Sequence, residues 1–186
     1  MLEEPWRIEM LGRLRVRRGD RDLTRFSTYK TGALLAYLAY NQSRSHARER
    51  LMDLLWPDEV PEAARNSLRV ALASLRRQLE PPGVAGGSIL LADRMQVQLN
   101  PASVTTDVAA FEAMVQAAGQ AEKPLERERL LEEAVALYGG ELLPGYYEDW
   151  ITAEQQRLAD AYIGAVRALT VVYAATGQME RAIEHA

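Results

Sequence analysis

The chain has 186 residues, no cysteine, two histidines and a formal net charge of −4 at neutral pH. That length admits one or two packed domains, and the absence of thiols excludes disulfides, a cysteine nucleophile and cysteine-based metal sites, which fits a reducing cytosol. His46 and His185 stand at opposite ends without ligand-type spacing, so no metal or cofactor is expected. The amino terminus lacks a basic segment followed by an apolar run, and no stretch approaches the ~20 uninterrupted apolar residues of a membrane span. The expectation is a soluble, cytoplasmic protein with no membrane partner. The charge is uneven: residues 1–100 carry 16 Lys+Arg against 12 Asp+Glu, a net +4, and residues 101–186 carry 6 against 14, a net −8. A basic half and an acidic half point to two modules with different partners.

From Trp6 to Arg25, apolar residues alternate with polar ones around Gly12 and Gly19-Asp20, which predicts two or three short antiparallel strands. Leu34, Leu35 and Leu38 then recur at helical spacing between Tyr29 and Tyr40, and Asn41–Ser45 closes that helix. Ser45 is placed to cap a second helix ending at Leu55. Trp56-Pro57-Asp58-Glu59-Val60 prevents its continuation, because proline lacks the amide donor and disfavours a helical residue before it.

Pro61 opens a third helix, at the position where proline is tolerated, and the run to Leu79 has no acid after Glu62. At about 100° per residue, with Arg65 at zero, Leu68, Leu72, Leu75 and Leu79 fall in one stripe at roughly 280–340°. Arg69, Ala73, Asn66, Arg77, Val70 and Ser74 run from roughly 40 to 180°, with Arg65 and Arg76 on the flank beside the leucines. One face suits a core. The other is cationic with small residues at its middle, so its backbone could approach a surface closely while Arg or Asn reaches base edges. A solvated arginine face is the plainer alternative.

Pro81-Pro82-Gly83 to Gly87 reads as a loop, and Ser88–Leu91 with Met95–Leu99 as a hairpin about Ala92-Asp93-Arg94. Strands, three helices and a hairpin make a winged helix. Asn100-Pro101 marks the predicted boundary between a winged-helix domain over 1–100 and an all-α domain over 101–186. In the latter, Thr105-Thr106-Asp107 supplies caps for a helix over Val108–Ala121, and a second runs from Leu125 to Tyr138. A helical stretch of about thirty residues follows from Tyr147, either one long helix or two with a bend near Asp160–Gly164. Val166, Leu169, Tyr173, Gly177, Met179 and Ala182 match the large and small positions of a tetratricopeptide repeat. The repeat stops partway through its second helix, at Glu184-His185-Ala186, so the natural protein is expected to continue or to be covered there by another chain.

The runs Leu51-Met-Asp-Leu-Leu-Trp56-Pro-Asp, Ala64 to Leu79, Asp107-Val-Ala-Ala-Phe111-Glu and Leu142-Leu-Pro-Gly-Tyr-Tyr-Glu-Asp-Trp150 occur in this order. Through them the chain resembles the antibiotic-regulatory-protein (SARP) type of transcriptional regulator, a response-regulator-type winged helix followed by a bacterial transcriptional activation domain. The resemblance implies a mostly α fold with small β-sheets, and a third helix that enters the major groove. It implies base reading by Asn66, Arg69, Val70, Ala73 and Ser74, and phosphate contacts from Lys30, Arg65, Arg76 and Arg77. The hairpin with Arg94 would reach the neighbouring minor groove or its phosphates, although Leu91-Ala-Asp-Arg-Met-Gln-Val97 departs from the Thr-Arg-Pro-Pro-Gly-Tyr-like wing of many members. It further implies promoter direct repeats bound by head-to-tail paired monomers, and contact of the Asp58-Glu59 turn with RNA polymerase. This wing and the interrupted repeat favour the amino-terminal part of a larger regulator.

An enzyme is disfavoured, since no nucleotide loop, metal constellation or serine–histidine pairing is present. The competing function is a protein-interaction or signal-receiving module whose winged helix contacts protein rather than DNA. Replacing Arg69 and Arg77 with alanine separates the two: salt-sensitive DNA binding is lost only under the first.

Overall fold

The computed structural model describes residues 4–184; His185 and the last residue of the interrupted repeat lie outside the described residues. Two compact units divide the chain. One holds Leu14–Thr106 with the chain up to Glu9, and the other holds Met10–Arg13 with the chain from Asp107 onward.

The first unit begins with strands β1 (Trp6–Glu9), β2 (Arg15–Arg18) and β3 (Arg21–Leu23). β1 and β2 pair antiparallel with Ile8 opposite Val16, both fully buried, and β2 pairs antiparallel with β3. Helix α1 (Tyr29–Tyr40) is capped by Thr28, whose side chain accepts from the Thr31 amide. Every residue of α1 from Thr31 to Ala39 is buried. A sequence that is small or apolar all round, Thr-Gly-Ala-Leu-Leu-Ala-Tyr-Leu-Ala, has no solvent face to offer and so becomes the central helix.

Strand β4 (His46–Ala47) precedes α2 (Arg48–Leu55), and α3 (Pro61–Leu79) follows the Trp56–Val60 turn. Contrary to the expectation from its position, Ser45 does not cap α2, because the chain enters β4 first and Ala47 takes the cap position without a side-chain bond. Leu68, Leu72, Leu75 and Leu79 of α3 are all buried, each contributing roughly 2 kcal/mol by leaving water. Strands β5 (Leu90–Ala92) and β6 (Gln96–Leu99) form the hairpin, and β4 pairs with β6 to make a three-stranded wing sheet. At the end of α3, the Glu80 carboxylate accepts the amides of Gly87, Ile89 and Leu90 at 2.8–2.9 Å, which fastens the proline-glycine loop to the helix. Burial pushes the Glu80 carboxyl up, but the amides and the Arg76 charge outweigh it and hold it below the ordinary carboxylate range.

Strand β7 (Val104–Thr106), a feature beyond the sequence expectations, lies parallel to β1 with Trp6 opposite Val104. It completes a sheet of order β3-β2-β1-β7. The buried Trp6 indole donates to the carbonyl of Leu79 at 3.0 Å, tying β1 to the end of α3.

In the second unit, α4 (Asp107–Gln120), α5 (Pro124–Leu137), α6 (Asp149–Ala175) and α7 (Met179–Glu184) pack each on the next, as helical repeats do. α6 is one uninterrupted helix, without the bend considered near Asp160–Gly164. By length and composition alone it could cross a membrane, yet its Ile151, Leu158, Ala165, Leu169, Val172 and Tyr173 are buried within the unit. The Asp107 carboxylate is buried and accepts the amides of Met10, Leu11 and Val108 at 2.8–2.9 Å. Beside it Leu11 bridges to Leu142 antiparallel, and the Leu143 amide donates to the Met10 carbonyl. Gly12 allows this approach: its φ is +91°, and a Cβ there would stand 2.8 Å from the Gly139 carbonyl oxygen.

Candidate nucleic-acid interface

Helix α3 presents an exposed arc made of Arg65, Asn66, Arg69, Val70, Ala73, Arg76 and Arg77. Val70 is half exposed, at 50%, although it is a β-branched apolar residue in the middle of the helix. Four guanidiniums surround it with no carboxylate on the same turns, so the arc can meet an anionic, partly apolar surface. Arg76 and Arg77 also stand in the last turn, where cations complement the helix dipole.

Ser74 is not on this arc. It is buried at 4% exposure, and its hydroxyl donates to Ser27 Oγ at 2.9 Å. Ser27 and Thr28 in turn lie within 3.1 and 2.9 Å of Thr31 Oγ1, so a chain of hydroxyls joins α3 to the start of α1. At roughly 180° on the helical wheel Ser74 sits on the border, and its small polar side chain gave periodicity nothing to decide with.

Lys30 is brought to the arc. With Thr28, Trp56, Asn66 and Val70 it lines a cleft of ≈ 360 Å³ between α1 and α3, and its ammonium lies 5.6 Å from the centre of the Tyr29 ring. Trp56 is half-buried there. In the same turn Asp58 and Glu59 are exposed; Glu59 accepts the Ser67 hydroxyl at 2.9 Å, which gives that acid a role in fixing the turn against α3.

The wing turns on Asp93, whose Oδ1 accepts the amides of Met95 and Gln96 at 2.7 Å each. These bonds, Gln96 first, hold the Asp93 carboxyl below its usual range, with Arg48 assisting. The side chain thus stands in for a backbone acceptor and closes the turn. Arg94 and Met95 are left exposed at the tip. Arg48 fastens the wing to α2 twice, donating its amide to the Met95 carbonyl and its Nε to the Asp93 carbonyl, both at 2.9 Å. A cleft of ≈ 180 Å³ opens between α2, α3 and the wing, lined by Arg48, Arg65 and Arg94 among others. Arg48 reaches the wing because β4, just ahead of it, pairs with β6.

His46 is a packing residue. It is buried in β4 edge-on to Tyr37, with ring centroids 5.0 Å apart, and its Nε2 proton is directed at the Asn41 carbonyl 3.2 Å away. Burial lowers its pKa; the Asn41 bond opposes, and Arg44 and Arg50 add to the lowering. Among the described residues no cluster of His, Asp and Glu could hold a metal ion.

Residues 26–91 match the family of the carboxy-terminal domain of transcriptional regulatory proteins, and residues 106–186 match the bacterial transcriptional activator domain. Both are domains of DNA-binding regulation and not of an enzyme family. No curated relative matches the sequence. Among solved structures, EmbR of Mycobacterium tuberculosis, in complex with a low-affinity phosphopeptide, is similar, with a TM-score of 0.83 and 24% identity. The likeness covers 98% of this chain and 49% of that one, so the chain spans about half the length of that protein; at this identity the likeness is one of fold.

Proposed function

We propose that the chain, a winged helix of the regulatory-protein carboxy-terminal family followed by a bacterial transcriptional activator domain, is a SARP-type transcriptional regulator that binds promoter DNA with α3 in the major groove. The observation that carries this reading is the exposed arc of α3, where Arg65, Asn66, Arg69, Val70, Ala73, Arg76 and Arg77 stand together. Asn66, Arg69, Val70 and Ala73 read base edges. Arg65, Arg76, Arg77 and Lys30 take phosphates, fixing register and most of the affinity, and Arg94 on the wing reaches the adjoining minor groove. Ser74, buried against Ser27, supports the helix from behind.

Two monomers lie head to tail on a direct repeat, in the cytoplasm, and the Asp58-Glu59 turn faces a basic surface of RNA polymerase. The exposure of both acids supports that contact, Asp58 more than Glu59, whose carboxylate is engaged by Ser67.

Selection from genomic fragments with the purified chain, followed by titrations of the enriched duplex across a salt series, tests the proposal. The expected result is a spaced direct repeat and a log affinity that falls linearly with log salt, with a shallower slope in the Arg69→Ala/Arg77→Ala variant. A folded protein that enriches nothing would point instead to a protein-binding winged helix.

A further inference from the structure

We propose that Arg48, Arg65 and Arg94 form one seat for a single phosphodiester of the DNA backbone, in the cleft where α2, α3 and the wing meet. The inference rests on the DNA-binding reading above and adds a residue and a stoichiometry to it. Three elements each contribute one arginine to the lining of a concavity of ≈ 180 Å³ in which Glu49 is the one acid. Among the described residues none of the three arginines is in an ion pair, and with Glu49 in the lining and Asp93 felt by Arg48 the three cations still outnumber the two acids. Holding three like charges together is unfavourable until an anion arrives.

Arg48 is already oriented: its Nε is engaged by the Asp93 carbonyl, which fixes the plane of the guanidinium and leaves the fork end to a ligand. The rest of the lining distinguishes a phosphodiester from a free inorganic anion. Met52, the buried Leu68 and Met95, 68% exposed, also line the cleft. An apolar wall beside a cationic centre suits a phosphate that carries deoxyribose on both sides. Because α3 and the wing grip the same phosphate, the seat sets the spacing between major-groove and minor-groove contacts without reading sequence.

The test uses the full chain, with the duplex enriched by selection and an unrelated duplex, each titrated across a salt series. Arg48→Gln retains an amide that can reach the Asp93 carbonyl but removes the charge. It is expected to weaken both duplexes by the same factor, about tenfold, with the log–log slope nearly unchanged, because Arg65 and Arg94 still neutralise the same phosphate. Arg48→Lys restores the affinity. Arg94→Gln, at an exposed hairpin tip, gives the same loss without bearing on the fold. The slope falls by about 0.9 in all only when Arg48, Arg65 and Arg94 are replaced together; a fall of about 0.9 in each single variant, and about 1.8 in the Arg48→Gln/Arg94→Gln pair, would mean separate phosphates and overturn the shared seat.

If Arg48→Gln leaves the affinity for both duplexes unchanged while Arg69→Ala still weakens the enriched duplex, the seat is wrong and the DNA reading stands. If neither variant changes anything, the DNA reading itself fails. Inorganic phosphate titrated into the DNA-free chain should show no saturation; saturable binding abolished by Arg48→Gln would assign the cleft to a free anion.

Discussion

Arg69 donates from Nη2 to Oδ1 of Asn66 at 2.7 Å, so the two polar residues at the centre of the α3 arc are one unit. With one lone pair of the Asn66 oxygen engaged, its NH₂ and the rest of the Arg69 guanidinium make the pair rich in donors. Such a unit suits acceptor-rich base edges, guanine N7 and O6 above all, rather than the donor–acceptor edge of adenine that a lone Asn would read. Alanine at either position is expected to cost about 1–3 kcal/mol of binding and to relax the preference at the same base pair. The double variant should cost less than the two singles together, as measured by a binding cycle on the enriched duplex. Additive losses at two different base pairs would show that the residues read independently.

Ser74→Ala should leave the base preference untouched. The hydroxyl lost is one that bonds Ser27 inside the protein, so the cost is to stability, about 1 kcal/mol, seen as a lower denaturant midpoint. A changed operator preference in this variant would return Ser74 to the reading face.

His46 gives the winged-helix unit a pH dependence of known sign. Its pKa is lowered in the folded chain from an unfolded value of 6.5, because burial against Tyr37 disfavours the charged ring. Below about 6.5 the unfolded chain therefore binds a proton that the folded chain refuses, and stability falls until the lowered folded pKa is reached. Above 6.5 this contribution is constant. Denaturant titrations across that range should show the fall in the wild type, and a smaller one in His46→Gln, which keeps a donor for Asn41. A wild type that gains stability on acidification, relative to His46→Gln, would contradict the assignment.

Asp107→Ala removes one carboxylate and strands the amides of Met10 and Leu11 in a buried place. Each unsatisfied amide costs about 1–3 kcal/mol, so the helical unit should lose about 3 kcal/mol or more. Thermal melts followed by circular dichroism would register it; a variant with an unchanged midpoint would show that other donors or water take the carboxylate's place.

The long elements could be read from the chain because their signals are local. The leucine stripe of α3 is buried as periodicity required, and α1 has the predicted ends at Tyr29 and Tyr40. Two of the short strands, β4 and β7, could not be read. Val104–Thr106 and His46–Ala47 are too brief to show a period, and their partners, β1 and β6, lie far away in sequence. For the same reason Asp107 was legible as a helix cap but not as the acceptor for Met10 and Leu11. At the candidate interface the arginines of α3 followed from spacing, while Arg48 needed the wing sheet to bring it to Arg65 and Arg94.

The interlacing of the two units has a consequence for how such a chain is inherited. Its strand β7 closes the first unit at Thr106, and α4 opens the second at the next residue, while Met10–Arg13 lends the second unit four residues from inside the first. No single cut yields both units whole. A fragment ending at Asn100 loses an edge of its sheet, and one beginning at Asp107 loses the amides that its first carboxylate holds. Recombination at Asn100 would leave both products short of partners, the first without β7 and the second without the Met10 and Leu11 amides.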